Sequence, residues 1–395
     1  MAILLLSEIF PPKVGGSGRW FWEVYRRMPR DSVVIAAGEN SRQEAFDRTH
    51  DLRIARVPLA LQEWGIRSVQ GLRGYWQALR KLRPLLKKER ITRIHCGRTL
   101  PEGLLALALK FESGVPYVCY AHGEEVNIAS GSRELRWLTR RVLKGTDFMI
   151  VNSHNTSQLL QQDWGLSRQR IRLMHPGVDC GRFVPALPDP VVRKRLRWDQ
   201  RFVVLTVGRL QKRKGHDQMI LALKTIRRSI SNVLYAILGD GEERPFLEKL
   251  AEQEGVAEHV QFLGELPETE LVPCYQQCDL FALPNRQVGK DIEGFGMVLL
   301  EAQACGRPVV AGASGGTAET MRIPQTGRVV GCDGPHELAA LIIELASDPY
   351  RLGQMGKAAR AWVAGHFDWT ALSRQAEQVF QSTRNGACRA KALAP

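Results

Sequence analysis

The chain has 395 residues, 44% of them hydrophobic, and a formal net charge of +14. This length predicts two domains of roughly 190 residues each. No stretch approaches the ~18 uncharged apolar residues of a membrane-spanning helix, and the N-terminal "AILLL" lacks a basic flank, so we expect neither a membrane span nor a signal peptide.

Short apolar runs alternate with longer amphipathic runs along the whole chain. The first half has candidate strands at 2–7, 33–37, 91–95, 116–120, 148–152 and 171–174. The second half has candidate strands at 202–207, 233–238, 260–263, 279–283 and 308–311. Candidate helices, such as 101–112 and 133–144, lie between them. This strand–helix–strand order is typical of parallel sheets, so the sequence predicts an α/β protein with two doubly wound, Rossmann-like domains.

The segment 175–190 contains four prolines and two glycines and shows no hydrophobic periodicity. Such a composition is typical of a linker, which we place near 180–200. The predicted domains are therefore residues 1–185 and residues 200–365. After them, residues 366–383 include an amphipathic helical pattern that is long enough to pack back on another domain.

The first predicted strand is followed by "PPKVGGSG" and then by a helical run. Glycines in such a turn let the backbone approach a ligand closely, and the start of the following helix favours an anion. The spacing differs from Gly-x-Gly-x-x-Gly, and no acidic ribose ligand follows about 20 residues on, which disfavours a dinucleotide site. A simple tight turn is the structural alternative.

Positive charge is concentrated in the first half of the chain. Residues 1–190 hold 29 Lys and Arg against 18 Asp and Glu, a net charge of +11, and the remainder carries +3. The segments 72–90 and 133–144 mix Arg and Lys with Leu and Trp. Two surface helices packed on a sheet explain this pattern, and contact of the same helices with an anionic membrane surface is the alternative. We expect no nucleic acid as a partner, because no binding motif accompanies the charge.

His122 lies in "YAHGEEV", directly after a predicted strand. Ligands of doubly wound domains bind at the carboxyl ends of the strands, so this side chain is a candidate for the site. It could act as a base, donate a hydrogen bond to a sugar hydroxyl, or cap a loop.

Arg209 and Lys214 lie in "VGRLQKRKGHD", between the first strand of the second domain and the next helix. Two fixed cations beside free backbone donors suit a diphosphate, one through its planar fork and one as a point charge.

The segment "EGFGMVLLE" places Glu293 before a glycine-spaced turn and Glu301 eight residues later, in an apolar helical run. This spacing on a helix separates two side chains by roughly 12 Å, which excludes a shared-proton pair. We expect free backbone N–H groups between the two carboxylates. An extended ligand with a sugar, a diphosphate and a ribose would fit such a span.

The eight cysteines lie at positions 96, 119, 180, 274, 278, 305, 332 and 388, and none forms a Cys-x-x-Cys pair. They predict reduced thiols in a cytosolic protein, with a metal site as the weaker alternative.

Several of these motifs together resemble the retaining, nucleotide-sugar-dependent glycosyltransferases of family 4. They occur in family order across nearly the whole chain: "PPKVGGSG", "HGEE", "GRLQKRKG", "LGDGEE", "FLGEL", "EGFGMVLLEAQACGRPVV" and "SGGTAE". The finer likeness is to bacterial phosphatidylinositol mannosyltransferases and related GDP-mannose-dependent enzymes. The resemblance implies the GT-B fold, in which two Rossmann-like domains face a cleft, the first binding the acceptor and the second the donor.

The resemblance also implies a role for each candidate residue. Arg209 and Lys214 would hold the donor diphosphate, Glu293 the donor sugar and Glu301 the ribose. The amides of Phe295, Gly296 and Met297 would support the donor, and the backbone of Leu266 would contact the base. From the first domain, Gly16 would approach the phosphates and His122 the transferred sugar. The helix near 366–383 would be the family's crossover onto the first domain.

The implied reaction is transfer of a hexose, with mannose from GDP-mannose preferred, to a lipid-linked or glycan hydroxyl. We expect retention of configuration, no cofactor, no metal ion, and a cytoplasmic location that includes the inner face of the cytoplasmic membrane. UDP-sugar-dependent glucosyl or N-acetylglucosaminyl transfer and a non-transferring 2-epimerase are the alternatives within the fold. Outside it stand a nicotinamide-dependent dehydrogenase, disfavoured by the glycine spacing, and a noncatalytic sugar-nucleotide or lipid-binding protein.

Overall fold

The computed structural model describes residues 2–13 and 15–391, with the side chains of all of these except residues 268 and 382–391. The strands are β1 Ala2–Ser7, β2 Val33–Gly38, β3 Ile54–Val57, β4 Ile91–Cys96, β5 Tyr117–Ala121, β6 Met149–Val151, β7 Ile171–Leu173, β8 Phe202–Val207, β9 Val233–Leu238, β10 Val260–Gly264, β11 Leu280–Leu283, β12 Val309–Gly312 and β13 Gly327–Val330. The helices are α1 Gly16–Tyr25, α2 Gln43–Asp47, α3 Val69–Lys88, α4 Glu102–Ser113, α5 Glu124–Ser130, α6 Arg133–Gly145, α7 His154–Gln162, α8 Pro190–Leu196, α9 His216–Ser229, α10 Arg244–Gln253, α11 Glu268–Gln277, α12 Met297–Ala304, α13 Pro335–Ala346, α14 Pro349–His366 and α15 Trp369–Lys391.

The chain divides into two compact units. The first unit contains the chain up to Pro176 and again from Trp369 onward. The second unit contains Gly177 to Asp368. Residues just after Pro176 pack with the second unit, since the N–H of Val178 donates to the carbonyl of Phe367 at 2.9 Å. The change of unit therefore falls earlier in the chain than the linker that the sequence suggested.

The first unit is built on a parallel sheet with the strand order β3-β2-β1-β4-β5-β6-β7 among the described residues. All six residues of β1 are buried, which explains its continuous apolar run, because helices cover both faces of such a sheet. Helix α4 contacts both α3 and α6, and α1 packs against α15. Phe380 of α15 stacks on Tyr25 of α1, with 5.8 Å between the ring centroids.

The second unit is built on a parallel sheet with the order β10-β9-β8-β11-β12-β13 among the described residues. Strands β8 and β11 are neighbours in the middle of this sheet, so the loops that follow them leave from the same edge. With two parallel, Rossmann-like sheets, the predicted α/β fold class is confirmed.

Two strands, β3 and β13, are absent from the sequence prediction. Each lies at an edge of its sheet, is four residues long and contains an arginine. Arg56 pairs with Asp47, and Arg328 pairs with Glu344. Short, charged edge strands lack the apolar run by which the interior strands are recognised.

The seven cysteines whose side chains are described are buried, and none of them forms a disulfide. Within the described part of the chain, no helix combines the length and the apolar character needed to cross a bilayer.

Candidate active site

Two loops of the second unit carry the predicted donor-binding residues. One loop connects β8 to α9 and contains Arg209 and Lys214; the other connects β11 to α12 and contains Glu293. The loops touch at Gly215, whose φ is +72°. A Cβ atom at this position would come within 1.8 Å of the carbonyl oxygen of Pro284. Only glycine fits such a contact in this left-handed conformation.

Glu293 is the centre of a buried ion-pair cluster. Lys214 Nζ lies 2.5 Å from Glu293 Oε2, and Arg213 Nη1 lies 2.8 Å from the same oxygen. Only 9% of Glu293 is exposed. Burial on its own would raise the pKa of this carboxyl, but Lys214 and Arg213 hold the pKa below its usual value. The carboxylate is therefore negatively charged at neutral pH and fixed by two cations.

Arg209 lies apart from this cluster. Lys214 forms an ion pair with Glu293. Arg209 is exposed and forms no side-chain hydrogen bond or ion pair with a described residue. The second cation that contacts Glu293 is Arg213. Sequence reasoning missed Arg213 because the run Lys212–Lys214 offers three basic side chains, and only the shape of the short 3₁₀ turn decides which of them face inward.

Glu301 has a separate partner and does not share a proton with Glu293. It is 5% exposed on α12, and the hydroxyl of Tyr275 donates to its Oε2 at 2.7 Å. The prediction that the two glutamates act at separate points agrees with these different partners. Tyr275 was not predicted; its position on α11 carries no motif that would single it out.

Helix α12 begins at Met297, after Gly296 in a left-handed conformation with φ +87°. Because the first N–H groups of a helix have no partner within it, the start of α12 offers donors and a partial positive charge to an anion. The ring of Phe295 is 3% exposed and packs in the core 6.1 Å from the ring of Phe367. Phe295 thus has only its backbone to offer to a ligand.

The motif "SGG" supports the backbone of Glu293. The N–H of Gly316 donates to the Glu293 carbonyl at 3.1 Å. Gly315 has a φ of +70°, and a Cβ atom there would lie 1.8 Å from the same carbonyl oxygen. A side chain at position 315 would collide with the backbone of Glu293, so the close approach of this loop needs a glycine there. Leu266 follows β10, an edge strand of the same unit's sheet, and is half-buried against the core.

In the first unit, His122 follows β5 and lies beside α1, the helix that begins at Gly16. Its ring contacts Trp20 and Phe21 edge-on, with centroid distances of 5.6 and 5.8 Å. His122 Nε2 lies 2.8 Å from the carbonyl oxygen of Gly97. A carbonyl only accepts, so Nε2 carries the proton and Nδ1 is an acceptor. Burial lowers the pKa of His122 to about 4, so the ring is neutral at physiological pH.

Two family models match the chain. The model described as Glycosyltransferase Family 4 matches residues 14–182, and the model described as Glycosyl transferases group 1 matches residues 190–362.

Two curated relatives align over nearly the full length of the chain. One is the GDP-mannose-dependent monoacylated alpha-(1-6)-phosphatidylinositol monomannoside mannosyltransferase of Corynebacterium glutamicum, 31% identical over 96% of this chain and 97% of the relative. Another is the GDP-mannose-dependent alpha-(1-6)-phosphatidylinositol monomannoside mannosyltransferase of Mycobacterium tuberculosis, 33% identical over 94% and 96% of the two chains.

Solved structures share the fold at lower identity. Anabaena HepE in complex with UDP has a TM-score of 0.81 at 20% identity and covers 97% of this chain and 100% of its own. The sucrose-phosphate synthase of Thermosynechococcus elongatus has a TM-score of 0.79 at 21% identity, over 98% and 100% of the two chains.

Proposed function

Since the chain belongs to the group 1 glycosyltransferases of family 4, we propose that it transfers mannose from GDP-mannose to a hydroxyl group of a lipid-linked glycan. The names of the Corynebacterium and Mycobacterium relatives support this donor and a phosphatidylinositol mannoside as the acceptor class, because both relatives match at 31% to 33% identity over nearly the whole chain.

The cluster of Glu293, Lys214 and Arg213 is the observation that carries the proposal. Both cations contact Oε2 of Glu293, and no described residue donates a hydrogen bond to Oε1. Oε1 is thus suited to accept a hydrogen bond from a sugar hydroxyl. The diphosphate would lie at the start of α12 within reach of Lys214 and Arg209, because these groups supply positive charge.

The remaining proposed contacts involve the ribose, the base, the phosphates and the sugar of the donor. The ribose would bind Glu301, whose carboxylate Tyr275 holds in place through the 2.7 Å hydrogen bond. The base would lie against the backbone at Leu266. Gly16 and His122 of the first unit stay the predicted contacts to the phosphates and the transferred sugar, and Nδ1 is the ring nitrogen of His122 that would accept a hydrogen bond. A neutral ring with this tautomer is not suited to act as a general acid.

The reaction would retain the configuration at the anomeric carbon. The bond between C1 of mannose and the phosphate oxygen breaks, and the acceptor oxygen bonds to C1 from the same face. The departing phosphate oxygen takes the acceptor proton. Arg209 and Lys214 would stabilise the charge that develops on the diphosphate, the largest contribution in this kind of catalysis. The two cations perform this role without a divalent ion, so transfer should continue in the presence of EDTA.

The acceptor lipid suggests that the first unit rests on a membrane. Two helices of this unit expose aromatic and aliphatic side chains. On α3, Val69, Leu72 and Trp76 are 82%, 53% and 54% exposed, and on α6, Trp137 is 51% exposed. We name these four residues the Trp76–Trp137 surface. Arginines border both indole rings, Arg80 at 5.6 Å from Trp76 and Arg141 at 5.1 Å from Trp137.

The two helices are joined at their N-terminal ends. Oε1 of Glu134, in the first turn of α6, accepts the N–H groups of Ile66 and Arg67 at 2.7 and 2.9 Å, just before α3. The Trp76–Trp137 surface therefore combines interfacial aromatic residues with basic side chains, the composition of a peripheral contact with anionic lipid. Each basic residue near such a surface contributes about 1 kcal/mol to binding. We place the protein on the inner face of the cytoplasmic membrane.

Co-sedimentation with vesicles tests the membrane contact. The protein should bind vesicles that contain phosphatidylinositol or phosphatidylglycerol, should not bind pure phosphatidylcholine, and should be released by salt. The double variant Trp76→Ala/Trp137→Ala should lose most of this binding. Phe246→Ala is the matched control, because Phe246 is 51% exposed on the second unit. Equal binding of all three proteins would contradict the proposed contact.

A donor screen tests the transferase activity. GDP-mannose should raise the melting temperature of the protein more than UDP-glucose, UDP-N-acetylglucosamine or ADP-glucose. Incubation with lipid extract should then add a hexose to an acceptor lipid, detected by mass spectrometry. Conversion of the donor without an acceptor would identify an epimerase, and binding without either reaction would identify a noncatalytic protein.

A further inference from the structure

Arg213 links the two acidic side chains of the loop between β11 and α12. Its Nη1 donates to Glu293 Oε2 at 2.8 Å, and its Nε forms an ion pair with Asp291 Oδ1 at 3.0 Å. The planar guanidinium is suited to such a bridge, whereas the single ammonium of a lysine is not. Arg213 is thus the one residue of the 3₁₀ turn Lys212–Lys214 that, within the described residues, joins both acids.

The backbone around this bridge is fixed from two directions. The carbonyl of Arg213 accepts the N–H of Arg286 at 2.9 Å. Arg286 in turn binds Asp217 through two hydrogen bonds of 2.7 Å each. Asp291 closes a tight turn with Val288, in which each backbone N–H donates to the other's carbonyl, at 3.0 and 2.9 Å. Arg213 therefore meets Glu293 in a constrained geometry.

The charges of the cluster are balanced before the donor binds. Lys214 and Arg213 carry two positive charges, and Glu293 and Asp291 carry two negative charges. Each of the four side chains forms an ion pair with at least one of the others. A nucleotide diphosphate adds negative charge and attracts Lys214. The ion pair between Lys214 and Glu293 would then weaken when Glu293 must accept a hydrogen bond from the sugar. An uncompensated carboxylate beside a diphosphate takes up a proton or turns away.

On the basis of the proposed function, we infer that Arg213 is a positioning residue that keeps Glu293 charged and in place while Lys214 engages the donor diphosphate. Asp291 holds the guanidinium of Arg213 in the orientation that this requires. Arg213 acts through Glu293 and does not touch the reacting atoms.

Steady-state kinetics of three variants test this inference. Arg213→Gln should lower kcat/KM by about 10-fold to 100-fold, since a hydrogen bond between charged groups contributes about 1.5–3 kcal/mol. It should also move the acidic limb of the pH–rate profile to higher pH, because Glu293 then gains a proton more readily. The groups that set this limb are Lys214, Arg213 and Asp291 around Glu293. Arg213→Lys should fall between the wild type and Arg213→Gln.

Lys212→Gln is the matched control, because it removes the same formal charge from the same turn. Lys212 is exposed and forms no side-chain hydrogen bond or ion pair with a described residue. Its kcat/KM and pH profile should equal those of the wild type. A profile of Arg213→Gln that keeps the wild-type acidic limb, or an equal loss in Lys212→Gln, would overturn the inference.

A titration without any substrate separates this inference from the proposed function. Carbon-13 spectra of protein labelled at the glutamate carboxyl, with Glu293→Gln to identify the signal, follow the protonation of Glu293 directly. The signal should titrate at higher pH in Arg213→Gln than in the wild type and in Lys212→Gln. Identical titrations would refute the inference even if the protein transfers mannose, and the expected shift would support it even if another sugar is the substrate.

Discussion

The close contact between the two site loops at Gly215 allows a quantitative prediction. A Cβ atom at this position would lie 1.8 Å from the carbonyl oxygen of Pro284 and 2.8 Å from its carbonyl carbon. Because nonbonded heavy atoms are stable at about 3.5 Å, Gly215→Ala must shift one loop by roughly 1.7 Å. The adjacent residue, Lys214, would be displaced from Glu293 by a similar distance, which breaks their 2.5 Å hydrogen bond.

The expected effect of Gly215→Ala has two parts, the cost of the left-handed backbone conformation and the effect of the contact with Pro284. An L-residue in the left-handed region costs about 1–2 kcal/mol wherever it occurs. Gly255 offers the comparison, since its φ is +63° and no described atom lies within 4 Å of the point that a Cβ atom would occupy there. Gly255→Ala should therefore show the conformational cost alone. Gly215→Ala should show in addition a loss of about 100-fold in kcat/KM, the typical effect of a 1 Å displacement in an active site.

Thermal unfolding and initial rates of mannosyl transfer measure the two parts. Both variants should melt below the wild type, with Gly215→Ala the lower of the two, and only Gly215→Ala should lose activity. If Gly215→Ala retained the activity and melting temperature of Gly255→Ala, the loop contact would not position Lys214, and this reasoning would be wrong.

Three further predictions concern individual site residues. Glu293→Gln should reduce kcat by about 100-fold or more while the far-ultraviolet circular dichroism stays unchanged, because it removes a charge that is required at the donor sugar; wild-type turnover would contradict the assignment. Glu301→Gln and Tyr275→Phe should both raise the KM for the donor with little change in kcat, as measured by varying GDP-mannose, and an unchanged KM in both would exclude a role in donor binding. Because the pKa of His122 falls from 6.5 to about 4 on folding, the unfolded chain binds the extra proton between these values. Its contribution to the free energy of unfolding is therefore constant above about pH 6.5 and declines as the pH falls toward 4. His122→Gln should lose less stability than the wild type between pH 7 and pH 5 in urea denaturation, and parallel curves would refute this.

The sequence was sufficient for the fold because most strands are buried on both faces. Runs such as Leu4–Leu6 and Val203–Leu205 are fully apolar, and a parallel sheet requires this. Strands β3 and β13 lie at sheet edges, where arginine side chains reach solvent or an acidic partner, and their pattern does not differ from that of a loop.

The candidate site was predictable where a motif constrains the backbone. Gly315 of "SGG" is needed for the close contact with the backbone of Glu293, and Gly296 takes a left-handed conformation directly before α12, so motif and geometry coincide. Arg213 and Tyr275 were not predictable, because their roles depend on which way a side chain points across a turn or between two helices. Spacing along the chain contains no such information. The prediction that Arg209 and Lys214 hold the donor diphosphate stays a prediction, and the structure adds Arg213 to Lys214 as a cation that contacts Glu293.

The central claim is that the protein transfers mannose from GDP-mannose to a lipid with retention. Its most direct test is nuclear magnetic resonance of the product formed from GDP-mannose labelled with carbon-13 at C1, incubated with purified phosphatidylinositol mannoside. The label should appear in the lipid fraction, and the one-bond coupling between C1 and H1 should be that of an α-mannoside, the configuration of the donor. A β-mannoside would contradict retention, and label that stays in the aqueous fraction with an active, folded protein would contradict the claim itself.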